Sequence, residues 1–373
     1  MTIMIEKKLL QRKKQGNLRM LGVAPPLIDF SSNDYLGLSR SPALAARTDR
    51  EISQHYSQHM RFGSTGSRLL TGNSTYAQEL ERSIAAFHGY EAGLLFNCGY
   101  MANVGLLSTM MDSSSTVFFD AAIHASTRDG IRLSGAQAFG FRHNDHDHLE
   151  SRLKNSISSR NRWICIESIY STDGSKAPIV EICRLAKYYG ALVIVDEAHA
   201  TGVCGPNGRG LTAEQGLASE IFAQVTTFGK GVGVHGAIVL GSSALKQALV
   251  NFAHSFIYTT ALPFHTLAAI KSSYTLFPKM EKERCHLHKL IEIYRKHFPD
   301  SSKTPIQSIR IPGNERARGA ARQLSLQGFD VRPLLSPTVR QGEEKLRISL
   351  HAFNREEELI KLLHFVKIGI FHG

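Results

Sequence analysis

Residues 191–240 constrain this chain more than any other stretch. They read ALVIVDEAHATGVCGPNGRG and, after a less regular segment, VTTFGKGVGVHGAIVL. Leu192 to Val195 is an apolar, β-branched run of strand length that stops at Asp196 and Glu197. A run without polar alternation predicts a strand covered on both faces, as in a parallel sheet. Ligands of open α/β sheets bind beyond the ends of such strands. Asp196 is therefore placed where a carboxylate meets a ligand, and His199 follows three positions on.

The second half of the stretch supplies a lysine. Lys230 stands between Gly229 and Gly231 in a glycine-rich loop, and glycine lets a backbone turn tightly and approach a ligand. A lysine held this way can form a Schiff base with an aldehyde cofactor. Pyridoxal phosphate needs such a lysine, and an acidic partner for its pyridine nitrogen. Gly231, Gly233 and Gly236 also match the dinucleotide pattern GxGxxG. That fingerprint needs a helix after it, and here AIVLGSS follows, which reads as a strand.

Composition narrows the classes. The 373 residues, 42% hydrophobic and 20% charged, describe a globular chain able to bury a large core. No apolar run approaches the ~20 residues of a membrane span, and Lys7 and Lys8 interrupt the N-terminus where a signal peptide would be apolar. Five cysteines without a CxxC pair argue against a disulfide framework or zinc site and fit a reducing cytoplasm. The net charge of +12 permits nucleic-acid binding. Apart from Lys7, Lys8, Arg12, Lys13, Lys14 and Arg19, however, the basic residues are scattered. They suit a polyanionic small molecule such as coenzyme A, or a solvated basic helix.

Along the chain, residues 1–20 read as an amphipathic helix with Ile5, Leu9 and Leu10 on one side. A short strand at Ile28 leads into a polar turn in which Asn33 and Tyr35 either form the turn or line a cleft. The segment Arg61–Gly89 opens as a glycine- and serine-rich loop and becomes helical at Leu80, Ile84 and Phe87. A strand from Gly93 to Phe96 precedes Gly99 and Tyr100, and a helix from about Met101 offers free N–H groups for a phosphate. His124 follows a strand at Val117–Phe119, next to the small residues Ala125 and Ser126. His143, His146 and His148 with Asp145 and Asp147 either bind a metal or, as we favour, lie where Asp145 or Asp147 caps a helix carrying Glu150 in its first turn. Alternating strands and helices over 92–240 predict one mostly parallel sheet. A helix is expected from Ala244 to Phe256, then Thr259 and Thr260 with their hydroxyls. Beyond Phe277 a smaller α+β lobe is expected, with Arg347 on a strand.

With NDYLGLS, GSRLLTGN, HAS, ESIYSTDG, DEAHATG, TFGKGVG, IYTTALP and LRISL all in order, the chain resembles the α-oxoamine synthase family of fold-type I pyridoxal-phosphate enzymes. The resemblance implies an α/β fold with an N-terminal arm (1–40), a large cofactor-binding domain (41–276) and a C-terminal α+β domain (277–373). It implies an acyltransferase of the cytoplasm, a homodimer with its site at the subunit interface, and no nucleic-acid or membrane partner. By the same resemblance Lys230 carries the cofactor, Asp196 pairs with its ring nitrogen, and His124 stacks on the ring. His199 and Ser171 contact the ring oxygen, and Thr227 with the Gly99–Tyr100 backbone binds phosphate. Thr259 or Thr260 reaches the partner subunit's phosphate, Arg347 clamps the amino-acid carboxylate, and Asn33 and Arg19 lie on the substrate side. Lys230, His124, Asp196 and His199 form the catalytic set. Arg19 and the segment SPTVRQGEEKLRISL resemble the biotin-pathway members, which condense L-alanine with pimeloyl-CoA or a pimeloyl carrier protein. Arg340 stands where their pattern has proline. Glycine with acetyl-CoA is the alternative within the family; a basic nucleic-acid-binding module is the alternative outside it.

Overall fold

The computed structural model describes residues 2–23, 26–55, 63–156 and 161–371. Arg61 and Phe62, which open the expected glycine-rich loop, lie outside them. The strands in chain order are β1 (Ile28–Asp29), β2 (Ala92–Phe96), β3 (Ser115–Asp120), β4 (Gln137–Phe141), β5 (Asn161–Glu167) and β6 (Ala191–Asp196). They continue with β7 (Ala223–Thr227), β8 (Ala237–Gly241), β9 (Ile306–Arg310), β10 (Phe329–Asp330), β11 (Arg332–Leu334) and β12 (Lys345–Ser349). The chain divides into two compact units. The larger is Leu36–Tyr170 with Lys176–Lys282; the smaller is Met1–Tyr35, Ser171–Ser175 and Glu283–Gly373.

The larger unit is built on a seven-stranded sheet of order β2-β8-β7-β6-β5-β3-β4. Strands β3 to β7 pair in parallel, while β8 runs antiparallel to both β2 and β7. The mostly parallel sheet is as expected, with one reversed strand. Because β8 returns directly beside β7, no crossover helix is needed, and the connection is the short loop that carries Lys230.

Successive residues of one strand serve opposite faces. Leu94, Phe96 and Val239 pack with Ala102, Leu106, Leu107 and Ile131. Their neighbours Leu95, Ile238 and Leu240 pack with Leu80, Ile84, Leu267 and Ile270. Both faces are thus covered by helices, which is why these strands carry unbroken apolar runs. Helix ends follow local chemistry. Ser74 accepts a bond from the Ala77 amide to start Thr75–His88, and Gly89, at φ 81°, ends it. The helix expected over 244–256 is broken into Ser243–Phe252 and His254–Ile257 by Ala253, whose backbone is extended.

In the smaller unit, β11, β12 and β9 form an antiparallel sheet in that order, and β1 pairs in parallel with β10. Leu346 and Ile348 of β12 and Leu359, Leu362, Leu363 and Val366 of the helix Glu356–Phe371 are fully buried. The N-terminal helix spans Thr2–Lys14, and the chain turns at Gly16 with φ 62°. Its expected apolar side is not covered: Ile5, Leu9 and Leu10 are each 52% exposed. Among the described residues no helix is long and apolar enough to cross a membrane.

Candidate active site

Asp196 ends β6, and Thr227 ends β7 beside it. Lys230 sits in the turn that follows, closed by bonds from the Gly233 amide to the Lys230 carbonyl (2.8 Å) and from the Val234 amide to the Phe228 carbonyl (2.8 Å). Acid, hydroxyl and amine thus lie at the carboxyl ends of adjacent strands, where ligands of such sheets bind.

The Asp196 carboxylate, 7% exposed, accepts bonds from the Ala198 amide (2.9 Å) and from Asn103 Nδ2 (2.8 Å). Asn103 also donates to Ser126 Oγ at 3.0 Å. The Ser126 hydroxyl lies 2.8 Å from His124 Nδ1, and the Ser126 amide donates to that same nitrogen at 3.2 Å. With a backbone donor on Nδ1, the ring proton of neutral His124 belongs on Nε2. His124 thereby caps the helix Ala125–Ser134, a role its sequence position did not announce. Its ring has an exposed side, yet enough protein surrounds it that desolvation pulls its pKa below the ordinary histidine value. Asp196 pulls the other way and Lys230 adds to the drop, so both charges lie within electrostatic reach of the ring. A neutral, flat ring suits stacking better than a cation beside a lysine.

The helix Gly99–Met110 begins two residues earlier than expected, and no side chain caps its start. The first amides of a helix lack internal acceptors and favour an anion. A Cβ at Gly99 would come within 2.4 Å of Thr227 Cγ2, so glycine is required for this approach. Thr227 Oγ1 is buried and has no hydrogen-bond partner among the described residues. An orphaned hydroxyl beside open amides fits a phosphate. Tyr100 bonds Asp129 through its hydroxyl, joining this helix to Ala125–Ser134. Asn97 donates to Thr259 Oγ1 (3.1 Å) and to the Thr260 carbonyl (2.9 Å), which brings that pair next to the same helix start. His199 is buried in the turn after β6.

The smaller unit holds a second polar centre. Arg347, half-buried on β12, donates from Nε to the Ser171 carbonyl (2.7 Å), from Nη1 to Ser349 Oγ (2.8 Å) and from Nη2 to Asn33 Oδ1 (2.8 Å). Tyr35 donates to the same Asn33 oxygen at 3.2 Å. Every one of these acceptors is neutral, so the guanidinium is oriented but not neutralised, as a clamp for a carboxylate must be. Ser171 takes part through its carbonyl. Arg19 is exposed and donates to Thr338 Oγ1 at 3.2 Å, in the segment that also carries the exposed Arg340.

The histidine cluster makes local contacts. Asp145 caps the helix His146–Lys154 by accepting from the His148 amide, and His143 Nδ1 meets Asp120 at 2.8 Å. No metal-holding group occurs among the described residues. The acidic residue in the first turn is Asp147, not Glu150. Two contributors were missed in the sequence. Asn103, a polar residue within the apolar helix YMANVGLL, is a signal that could have been read. Glu197, fully buried, accepts from Ser168 Oγ (2.9 Å) and from the Leu211 (3.0 Å) and Thr212 (2.6 Å) amides. Burial raises its pKa against those bonds. It ties down the loop beyond Asp196.

The chain belongs to the family described as aminotransferase class I and II, which it matches over residues 25–366, and its fold is that of the fold-type I transferases. The 8-amino-7-oxononanoate synthase of Emericella nidulans is 41% identical, over 95% of this chain and 93% of its own. That of Marinobacter nauticus is 37% identical, over 96% and 94%. Among solved structures, a serine palmitoyltransferase from S. paucimobilis with bound PLP–myriocin superposes with a TM-score of 0.85 at 27% identity, covering 97% of this chain and 95% of that one. An 8-amino-7-oxononanoate synthase from Francisella tularensis superposes with a TM-score of 0.79 at 27% identity, covering 93% and 98%.

Proposed function

We propose that this chain is a pyridoxal-phosphate-dependent acyltransferase that condenses L-alanine with a pimeloyl thioester, releasing carbon dioxide and the thiol to give 8-amino-7-oxononanoate. The observation that carries the reading is the relay Asp196–Asn103–Ser126–His124, with Lys230 on the strand-end loop next to Asp196.

When bound, pyridoxal phosphate supplies an electron sink for the carbanion at the amino-acid α-carbon. Lys230 would hold the cofactor, and its amine would move the α-proton of the amino acid. Asp196, oriented by Asn103 and the Ala198 amide, would pair with the ring nitrogen. His124, its Nδ1 tied to Ser126, presents a neutral ring face, and His199 serves the ring oxygen. Thr227 Oγ1 and the Gly99 and Tyr100 amides take the phosphate, with Thr259 or Thr260 serving the partner subunit's cofactor in a homodimer. Arg347 takes the amino-acid carboxylate, Asn33 orients Arg347, and Arg19 serves the acyl substrate. Five cysteines with no CxxC pair suit a reducing cytoplasm.

The test is an absorbance spectrum of the purified protein with pyridoxal phosphate, titrated with L-alanine and then pimeloyl-CoA. A visible band that alanine shifts, followed by thiol release, is expected. Absence of the band removes the cofactor reading. Preference for glycine with acetyl-CoA removes the substrate reading alone.

A further inference from the structure

His351 follows β12 and is fully buried, and nothing in the chemistry above uses it. Its Nδ1 lies 2.9 Å from Asn354 Oδ1. That amide has only one orientation, because Asn354 Nδ2 donates to the Asp29 carbonyl (3.0 Å) and its Oδ1 accepts from the His351 amide (2.9 Å). Nδ1 must therefore carry a proton. Nε2 lies 3.0 Å from the Ser32 carbonyl and 3.2 Å from the Ser32 hydroxyl. Protonated, Nε2 donates to the carbonyl; unprotonated, it accepts from the hydroxyl. The bond to Ser32 survives either way.

Ser32 directly precedes Asn33, the residue that orients Arg347. On the other side of Asn33, the Tyr35 ring stacks on His351 with centroids 6.4 Å apart and planes 21° apart, and the Phe353 ring also stacks on His351, at 4.6 Å. The backbone reinforces the grip through bonds from the Ala352 amide to the Tyr35 carbonyl and from the Ser349 amide to the Phe30 carbonyl, each 2.8 Å. One imidazole thus holds both flanks of Asn33.

We propose that His351 is a positioning residue that sets the Asn33–Arg347 clamp, so that amino-acid affinity depends on a side chain that never touches the substrate. The inference rests on the reading of Arg347 as the carboxylate clamp.

The experiment compares His351→Ala, His351→Asn, His351→Gln and Arg347→Ala as holoenzymes. It measures alanine affinity by calorimetry, KM for each substrate, kcat and melting temperature. Glutamine places an amide near the position of Nε2 and can keep the bond to Ser32; asparagine reaches only the Nδ1 side. We expect His351→Ala to weaken alanine binding about tenfold, the worth of one buried hydrogen bond, with kcat and the acyl-substrate KM little changed. Glutamine recovers most of the loss and asparagine does not. Should the alanine variant fail to fold, the Gln–Asn difference decides. Equal behaviour of those two variants, wild-type alanine affinity throughout, or parallel losses for both substrates with a lowered melting temperature overturns the inference. Unchanged alanine affinity in Arg347→Ala overturns the clamp reading and this inference together. Weakened affinity there with wild-type His351 variants overturns this inference alone.

Discussion

The two polar centres differ in how they are assembled. In the larger unit, Asp196 and Thr227 end neighbouring strands and Lys230 follows in the loop, with Asp196 standing where the apolar run of β6 stops. In the smaller unit, Arg347 is oriented by Asn33, Tyr35, Ser171 and Ser349, drawn from three separate stretches of chain. Both present a charged group to neutral hydrogen-bond partners. The first inherits its geometry from the sheet; the second depends on tertiary packing around one side chain. A strand-end site should fail through loss of its chemical groups, and a pooled site through loss of orientation.

The largest expected effect tests the strand-end centre. Lys230→Ala should lower kcat by about 10⁴-fold, the upper range for a positioned proton-transfer group, with the melting temperature of the apoprotein unchanged in calorimetry. Retained turnover would end the role assigned to Lys230 and with it the contrast. Arg347→Lys tests orientation. A lysine has one nitrogen where Arg347 uses three, so it cannot span the acceptors on Ser171, Ser349 and Asn33; the alanine KM should rise roughly 30-fold, as for a truncated charge pair, with kcat much less affected. A fall in kcat as large as that for Lys230→Ala would mean the two centres fail alike.

Gly99→Ala should be milder and should show first in cofactor affinity. The added methyl would meet Thr227 Cγ2, and overpacking of about 1–3 kcal/mol corresponds to roughly 5- to 150-fold weaker binding. Cofactor titration by fluorescence measures it.

The smallest effect separates the stability of the larger unit from its chemistry. His88 is buried against the Arg209 carbonyl and the Tyr274 hydroxyl, both at 3.0 Å, and desolvation pushes its pKa down to about 4 from 6.5. Below pH 6.5 the unfolded chain takes up a proton that the folded chain refuses, so stability falls as pH drops toward 4. The loss between pH 7 and pH 5 should be about 2 kcal/mol, measured by urea unfolding. His88→Gln should flatten that dependence without changing the alanine KM.

How much could be read in advance follows the same division. Asp196, Lys230 and a helix opening just after β2, though placed two residues late, were legible because strand-end carboxylates, glycine-flanked lysines and strand-to-helix turns leave local marks. The sequence leaves Asn33 open between turn former and cleft residue. Its purpose depends on Arg347, 314 positions away, and spacing carries no information at that range. Asn103 left a weak mark, a polar residue in an apolar helix. Its bond to Asp196 spans 93 positions, and only the folded sheet brings the two together. The N-terminal helix ends at Lys14 rather than near residue 20, and Ile5, Leu9 and Leu10 are exposed, since periodicity says which residues share a side and not what covers it.

By itself the sequence determined the alternation of strands and helices, the places where apolar runs end, and the kinds of chemical group set there, because these follow from side-chain period and backbone preference over a few residues. Tertiary structure alone decided the reversal of β8, the proton position on His124, the orphaned Thr227 hydroxyl, and the grip of His351 on the turn that holds Asn33. Each of these depends on hydrogen bonds and close contacts between segments distant in sequence, whose directions exist only once the chain has folded.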